Sequence, residues 1–164
     1  MENAQEKRLI KIIAIAAMSL DGYITRHNEE GNTFTSPEDK RYFTEALKFF
    51  DSSILSSKIF NISKKQILNT LTVDRIRVIL TRYPNRFMKF ETKDALVFRK
   101  PEPEVVVAEL QSVGRRKCAL LGGRKVYSQF LTAGMIDEFW ITWNRKSSAM
   151  ENLCLKVSLK RTSP

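Results

Sequence analysis

Continuous apolar runs alternate with amphipathic segments along this chain. Almost every residue from Leu9 to Met18 is apolar, which is typical of a strand buried on both faces of a parallel sheet. Shorter apolar runs predict further strands at Asp51–Leu55, Ile76–Leu80, Ala95–Phe98, Cys118–Leu121 and Ile136–Ile141. Strands that alternate with helical patterns predict an α/β domain.

Helical patterns fill several of the intervals between these strands. One begins at Ser36 and Pro37, a favourable cap and first residue, and we expect its apolar face to cover the sheet with Tyr42, Phe43, Ala46, Leu47 and Phe50. Another runs from Pro101 to Gly114, and a third lies between Gly123 and Gly134. Helices therefore accompany the strands along most of the chain.

The composition is that of an ordinary globular protein. The 164 residues are 43% hydrophobic and 28% charged, enough for one domain with a buried core. No apolar run approaches the roughly 18 residues of a membrane span. The N-terminal segment lacks a signal-peptide cleavage pattern, and the two cysteines offer neither a disulfide framework nor a metal-ligand spacing. We expect a cytoplasmic protein without a metal.

The net charge of +10 raises the question of nucleic-acid binding. Residues 145–164 hold five basic residues and one acid, so this segment accounts for +4. No basic motif interleaved with aromatic residues stands out elsewhere, and pairs such as Lys64-Lys65 are interpreted as solvated edges. We therefore expect no nucleic-acid partner and no membrane, and keep a basic nucleic-acid-binding module only as a minor alternative.

Two glycines between a predicted strand and a predicted helix form a candidate phosphate site. At Gly122 and Gly123 the backbone can approach an anion closely, and the first amides of the following helix point at its charge. The alternative is a tight turn between packed elements. Thr81 and Arg82 also follow a predicted strand, at a position where α/β sheets present residues to a nucleotide.

Two separated motifs carry a family resemblance. The first is Ala17-Met18-Ser19-Leu20-Asp21-Gly22-Tyr23-Ile24, and the second joins Leu121-Gly122-Gly123 to Gly134-Met135-Ile136-Asp137-Glu138. With them the chain resembles the dihydrofolate-reductase-like superfamily, and within it the C-terminal reductase domain of the bifunctional riboflavin-biosynthesis deaminase/reductase. The resemblance covers residues 9–142, after an N-terminal extension of residues 1–8. It implies a three-layer α/β/α sandwich with a mostly parallel sheet.

The resemblance also implies NADPH as cofactor and assigns residues to it. Its contacts fall on Ala17, Ser57, Lys58, Thr81, Arg82, Gly122, Gly123, Arg124 and Val126. Of these, Ala17 would lie close to the nicotinamide, and Arg82 would bind the 2′-phosphate through paired hydrogen bonds that favour NADPH over NADH. Ser19 and Asp21 are candidates for contacting a polar substrate, although Asp21-Gly22 is equally a turn signal. No catalytic residue is assigned.

One segment departs from the family pattern. Where relatives have a glycine-arginine pair and a threonine after the second strand, this chain has Ser56-Ser57-Lys58-Ile59. Lys58 would keep a positive charge near the cofactor, but the loss of the glycine would restrict the approach of the backbone.

The activity that the resemblance implies is hydride transfer to an electrophilic carbon, in the family's pathway the ribosyl carbon of a pyrimidine intermediate. No zinc-ligand signature of a deaminase precedes the reductase region, so we expect a reductase rather than a bifunctional enzyme. Its partner is a small-molecule substrate, and relatives are often homodimers. The main alternative is a noncatalytic remnant of the fold.

Residues 143–164 form a basic, poorly patterned tail that does not resemble the family. We therefore expect the sheet to lack one or two C-terminal strands. A frameshift in the coding sequence is our hypothesis for this tail. A shifted frame forces a glutamate after Trp143 and a glycine across Met150 and Glu151, and degenerate codons permit a family-like segment around them. A disordered tail on a natural variant is the alternative.

Overall fold

The computed structural model describes residues 8–19, 37–144 and 153–158. Its strands are β1 Lys11–Ser19, β2 Ser52–Ser56, β3 Ile76–Leu80, β4 Leu96–Arg99, β5 Lys117–Leu120, β6 Glu138–Asn144 and β7 Leu153–Ser158. They form one seven-stranded sheet in the order β4-β3-β2-β5-β1-β6-β7. Strands β1 to β6 are parallel, and β7 pairs with β6 antiparallel.

The helices pack on both faces of this sheet. They are α1 Pro37–Leu47, α2 Ser57–Asn69, α3 Pro103–Ser112 and α4 Arg124–Thr132, with a 3-10 helix at Pro84–Phe90. Residues of α3 and α4 share a core cluster with Ile54 of β2, whereas residues of α2 cluster with its neighbour Leu55. Because adjacent strand residues face opposite sides, these helices lie on opposite faces. The predicted three-layer α/β/α sandwich is confirmed.

Parallel pairing brings the carboxyl ends of six strands to one edge of the sheet, here called the carboxyl edge. Among the described strands β1 is the longest, and together with β6 it extends beyond the end of β5. Its pairing with β5 ends at Ala14 and Leu120, while its pairing with β6 continues to Ser19 and Asn144. The last part of β1 therefore has a ladder partner on the β6 side but no longer on the β5 side.

The six strands predicted from apolar runs are all present, within one or two residues for most bounds. Three elements go beyond the prediction, and one of them is the 3-10 helix at Pro84–Phe90. Helix α2 follows β2 without a loop, and β7 forms within the segment interpreted as an unpatterned tail. That interpretation is corrected for Leu153–Ser158, because apolar residues alternate there with period two, as in a half-buried strand. None of the described helices is long and apolar enough to cross a bilayer.

The apolar face predicted for α1 is only partly core. Ala46 and Phe50 are 4% exposed, and Phe50 packs edge-on against Trp140 with their ring centres 5.5 Å apart. Phe43, by contrast, is 38% exposed. The helix thus covers the sheet through its C-terminal part, and the aromatic stripe is not uniformly buried.

Candidate functional site

The glycine turn between β5 and α4 lies at the carboxyl edge and is tightly packed. Gly122 has φ of +87°, and a Cβ built on it would stand 2.4 Å from the Tyr127 ring. Its carbonyl oxygen accepts a hydrogen bond of 2.9 Å from the Ser56 amide. The local backbone and the Tyr127 ring therefore require glycine at position 122. A tight turn between packed elements explains this glycine without a bound phosphate.

Gly123 brings the ends of β2 and β5 into contact. A Cβ on Gly123 would lie 3.1 Å from the Ser56 Oγ. That same Oγ accepts a hydrogen bond of 3.3 Å from the Ile59 amide and caps α2. The Ser56 side chain thus occupies the space beside Gly123. Ser56 immediately precedes Ser57-Lys58, in the segment that departs from the family pattern.

Two helices begin side by side at this point. Helix α4 follows β5, and its N-cap Gly123 makes no side-chain capping bond. Helix α2 follows β2, the strand that pairs with β5. Neither helix has an acidic residue in its first turn. The positive ends of two helix dipoles therefore meet at the carboxyl edge, an environment that favours an anion.

Exposed cations surround these helix starts. Lys58 lies in the first turn of α2, Arg124 and Lys125 lie in the first turn of α4, and Arg82 follows β3. Within the described part of the chain, no carboxylate forms an ion pair with any of the four. Lys125 was not among the predicted contacts, although its position beside Arg124 could have suggested it.

The two residues that follow β3 have different surroundings. Thr81 is 7% exposed. Its Oγ1 accepts a 3.2 Å hydrogen bond from the Tyr83 amide, and its own amide donates a 2.9 Å hydrogen bond to the Arg99 carbonyl oxygen. Arg82 is exposed, with its guanidinium carbon 5.8 Å from the Tyr83 ring centre. Thr81 therefore stabilises the turn, while Arg82 is available to a ligand.

The other predicted residues are spread along the same edge. Ala17 and Ser19 lie in the part of β1 beyond its pairing with β5, opposite Thr142 and Asn144 of β6. Val126 is 4% exposed and its side chain belongs to the core, so only its backbone amide can contact an anion. Ser57 is the first residue of α2 and half-buried. Asp21 lies outside the described residues.

Tyr127 connects the glycine turn to β1. Its hydroxyl donates a 2.5 Å hydrogen bond to the Ile15 carbonyl oxygen, just past the last β5 partner of β1. Burial raises the pKa of Tyr127 above its ordinary value, so the hydroxyl keeps its proton at neutral pH. Sequence reasoning missed this residue, because an aromatic at helical spacing resembles any other core position.

This edge is suited to binding and orienting an anionic ligand. Around the starts of α2 and α4, its described groups are backbone amides, hydroxyls and exposed cations. Across residues 8–19, 37–144 and 153–158, no group of three or more histidine, cysteine or acidic side chains is placed to hold a metal ion.

The sequence matches the family model of the RibD C-terminal domain over residues 10–146. This chain belongs to the RibD C-terminal domain family. The resemblance to the riboflavin-biosynthesis reductase domain is thereby confirmed, and the match passes the predicted end at Thr142 by four residues. No curated protein matches the sequence.

Solved structures share the architecture of this chain. A riboflavin biosynthesis protein of Shewanella sp. is 19% identical with a TM-score of 0.60, over 82% of this chain and 76% of its own. A pyrimidine reductase-like protein of Corynebacterium diphtheriae is 12% identical with a TM-score of 0.61, over 86% and 77%. These similarities show the same fold.

A third structure is a diaminohydroxyphosphoribosylaminopyrimidine deaminase/5-amino-6-(5-phosphoribosylamino)uracil reductase of Thermotoga maritima. It is 18% identical with a TM-score of 0.62, over 85% of this chain and 46% of its own length. The chain thus spans about half of that protein.

Proposed function

We propose that this chain is an NADPH-dependent reductase of the riboflavin-biosynthesis type, or a stand-alone relative. Membership of a family of enzyme reductase domains supports the proposal. When bound, NADPH would supply a hydride to an electrophilic carbon of a polar substrate. The chain's own residues would hold and orient both molecules at the carboxyl edge.

One observation carries the proposal. The uncapped N-terminus of α4 and the exposed cations Lys58, Arg82 and Arg124 converge on the carboxyl edge, and none of these cations is paired with a described carboxylate. A diphosphate at the first turn of α4 would receive hydrogen bonds from its amides. Arg124 and Lys58 would add charge on either side of it, so the described residues fit the cofactor's anionic part.

Arg82 supports the choice of NADPH over NADH. It follows β3, which is separated from β5 by β2, so it lies about 10 Å along the edge from the glycine turn. A diphosphate at α4 and a second phosphate at Arg82 would be held at two separate points. The planar guanidinium of Arg82 would bind the 2′-phosphate of NADPH through paired hydrogen bonds. NADH lacks this phosphate, so it would lose the contact with Arg82.

We extend the substrate class of the Thermotoga maritima protein to this chain. That protein is named a 5-amino-6-(5-phosphoribosylamino)uracil reductase. The end of β1 is the place we propose for such a substrate, with Ser19 and Asp21 contacting its polar groups. Ser19 is the last residue of the longest parallel strand at the carboxyl edge, and Asp21 follows it in sequence.

A titration of NADPH and NADH against tryptophan fluorescence tests the proposal. We expect saturable NADPH binding in the micromolar range and weaker NADH binding. Arg82→Ala should reduce NADPH affinity about tenfold, the size of one lost charge-assisted interaction, and leave NADH affinity unchanged. Arg41→Ala, an exposed arginine on α1, is the matched control. Absence of saturable binding, or an equal effect of both variants, would overturn the assignment.

A noncatalytic remnant of the fold is the second candidate. The Ser56 side chain beside Gly123 favours it, because that space would have to admit a phosphate. The remnant should bind no NADPH and should show no substrate-dependent loss of absorbance at 340 nm, the band of the reduced nicotinamide. Catalytic loss of this absorbance with the phosphoribosylaminouracil substrate would exclude the remnant.

We retain the frameshift hypothesis for the end of the chain. The family match ends at residue 146, two residues after the end of β6 at Asn144, so the frame would have changed close to this end. Residues 145–152 then separate β6 from β7 in the sequence. Resequencing the gene across the codons for Ile141 to Val157 tests it. A missing or extra base would support the hypothesis, and an intact frame would refute it.

A further inference from the structure

Most of the net positive charge lies in one segment of the chain. Between Ser57 and Phe90 there are eight basic residues and one acid, so this segment carries +7 of the total +10. The side chains of Arg75 and Arg77 donate hydrogen bonds to backbone carbonyl oxygens of the fold. The other six have no carboxylate partner within the described residues: Lys58, Lys64, Lys65, Arg82, Arg86 and Lys89.

The 3-10 helix arranges part of this charge in a column. With three residues per turn and a rise of about 2 Å per residue, its N-cap Tyr83, Arg86 and Lys89 fall on one side, about 6 Å apart in succession. Tyr83 is 53% exposed, and the Arg86 guanidinium carbon lies 4.6 Å from its ring centre. The column therefore presents an aromatic ring followed by two cations.

Helix α2 contributes cations beside this column. Lys64 Nζ lies 3.9 Å and Lys89 Nζ 5.2 Å from the same Phe90 ring centre, so the two ammonium groups are at most 9.1 Å apart. No described carboxylate pairs with either. Lys64 and Lys65 also line an open depression on α2 together with Asn61, Ile62, Leu68 and Asn69. Cations gathered this closely repel one another and would be stabilised by an anion.

We propose that these residues of α2 and the 3-10 helix form a surface that binds single-stranded nucleic acid. We call it the α2–3-10 surface and define it by Lys64, Lys65, Tyr83, Arg86 and Lys89. Spaced cations would neutralise successive phosphates, and the exposed ring would stack on an unpaired base. The proposal reverses the expectation of no nucleic-acid partner, and it does not depend on the reductase assignment.

The exposed aromatic decides between possible partners. An acidic protein or an anionic membrane would engage the cations without needing Tyr83, whereas an unpaired base stacks on an exposed aromatic ring. The sequence patterns place Arg82 at a strand end and predict no element for residues 83–90, so they do not reveal this surface. Only the 3-10 helix aligns its residues, and only packing brings α2 beside it.

Fluorescence anisotropy with a labelled 20-nucleotide oligouridylate tests the proposal on the full chain. With four phosphates neutralised, affinity should fall roughly 50-fold between 50 and 200 mM salt. The variant Lys64→Gln/Lys65→Gln/Arg86→Gln/Lys89→Gln should lose most of the affinity and of the salt dependence. The control Arg41→Gln/Lys48→Gln/Arg116→Gln/Lys117→Gln removes the same charge from exposed residues elsewhere and should keep both.

A second variant separates stacking from charge and remains informative if the fourfold variant does not fold. Tyr83→Ala should lower affinity about tenfold while leaving the salt dependence unchanged. Equal losses in the surface variant and its control would show a net-charge effect and overturn the proposal. So would the absence of saturable binding at 50 mM salt, an unchanged affinity in Tyr83→Ala, or stronger binding to anionic phosphatidylserine vesicles or a poly-glutamate peptide than to the oligonucleotide.

Discussion

The Tyr127 hydroxyl donates a 2.5 Å hydrogen bond to the carbonyl oxygen of Ile15. This bond joins the first turns of α4 to β1 at the point where β1 loses its β5 partner. It takes the place of a ladder hydrogen bond and satisfies a backbone group that burial would otherwise leave unpaired. The ring of the same residue covers Gly122, so a single side chain fixes the glycine turn against the central strand.

Removing this hydroxyl should weaken the fold without changing its shape. Tyr127→Phe leaves the Ile15 carbonyl without its partner, and we expect the free energy of unfolding to fall by about 1–3 kcal/mol. Urea denaturation measures the change. Tyr83→Phe, at an exposed tyrosine, should stay within about 0.5 kcal/mol of the parent. Equal stability of the two variants would show that the Tyr127 bond contributes nothing.

The glycine at 122 can be tested against a second glycine of similar backbone. Gly122 and Gly114 have φ of +87° and +79°, but only at Gly122 would a Cβ meet the Tyr127 ring, whereas at Gly114 nothing lies within 4 Å. Gly114→Ala should therefore cost about 1–2 kcal/mol from backbone strain alone. Gly122→Ala should add about 1–3 kcal/mol of overpacking. Equal costs in urea denaturation would contradict the contact with Tyr127.

Alkaline pH should destabilise the protein through two buried groups. Burial raises the pKa of Cys118 to about 12 and raises that of Tyr127 as well. A group whose pKa is higher when folded stabilises the fold below its unfolded pKa and loses that contribution as pH rises towards the folded value. Stability should therefore decline above about pH 9, where unfolded cysteine ionises.

A cysteine substitution isolates part of this effect. Cys118→Ala removes one titrating group and should give a shallower decline of the unfolding free energy between pH 9 and 11, measured by urea denaturation at each pH. Its stability at pH 7 will be lower, because the substitution leaves a small cavity. The slope is therefore the quantity to compare, and parallel slopes would contradict the burial effect.

Shortening Ser56 should improve access to Gly123. Ser56→Gly removes the Oγ that would stand 3.1 Å from a Cβ on Gly123, so NADPH affinity should rise. Ser56→Ala loses the same α2 cap but keeps a Cβ, and it should give a smaller gain. Isothermal titration compares the two. If neither variant binds NADPH more tightly than the parent, the Ser56 side chain does not limit the cofactor site.

Much of the sheet was predictable because strands that are buried on both faces have continuous apolar sequences. β1 lies between two parallel neighbours, and its core positions from Ile12 to Ile15 are all buried, so its apolar run is continuous. β5 is followed by a turn in which Gly122 is required by its backbone and by the Tyr127 ring. α2 was less visible, because it follows β2 directly and contains a non-helical residue at Ser63.

The site was predictable in its sequence positions but not in its geometry. A motif resemblance identified Gly122, Gly123 and Arg124, yet no local pattern shows that Ser56 lies against Gly123 or that Tyr127 reaches Ile15. Both contacts join residues more than 60 positions apart in the sequence. They follow from strand order, which places β2 and β1 on either side of β5.

Hydrogen exchange with and without NADPH tests the central claim most directly, that the carboxyl edge at α4 holds the cofactor. The first turn of α4 should become protected when NADPH binds. The first turn of α3 is the internal control, since it also lacks a side-chain cap but follows the outermost strand β4 and carries Glu104. Protection confined to α4 and its neighbours is the predicted result. Unchanged exchange at α4 under saturating NADPH, or equal protection of both helices, would contradict the account.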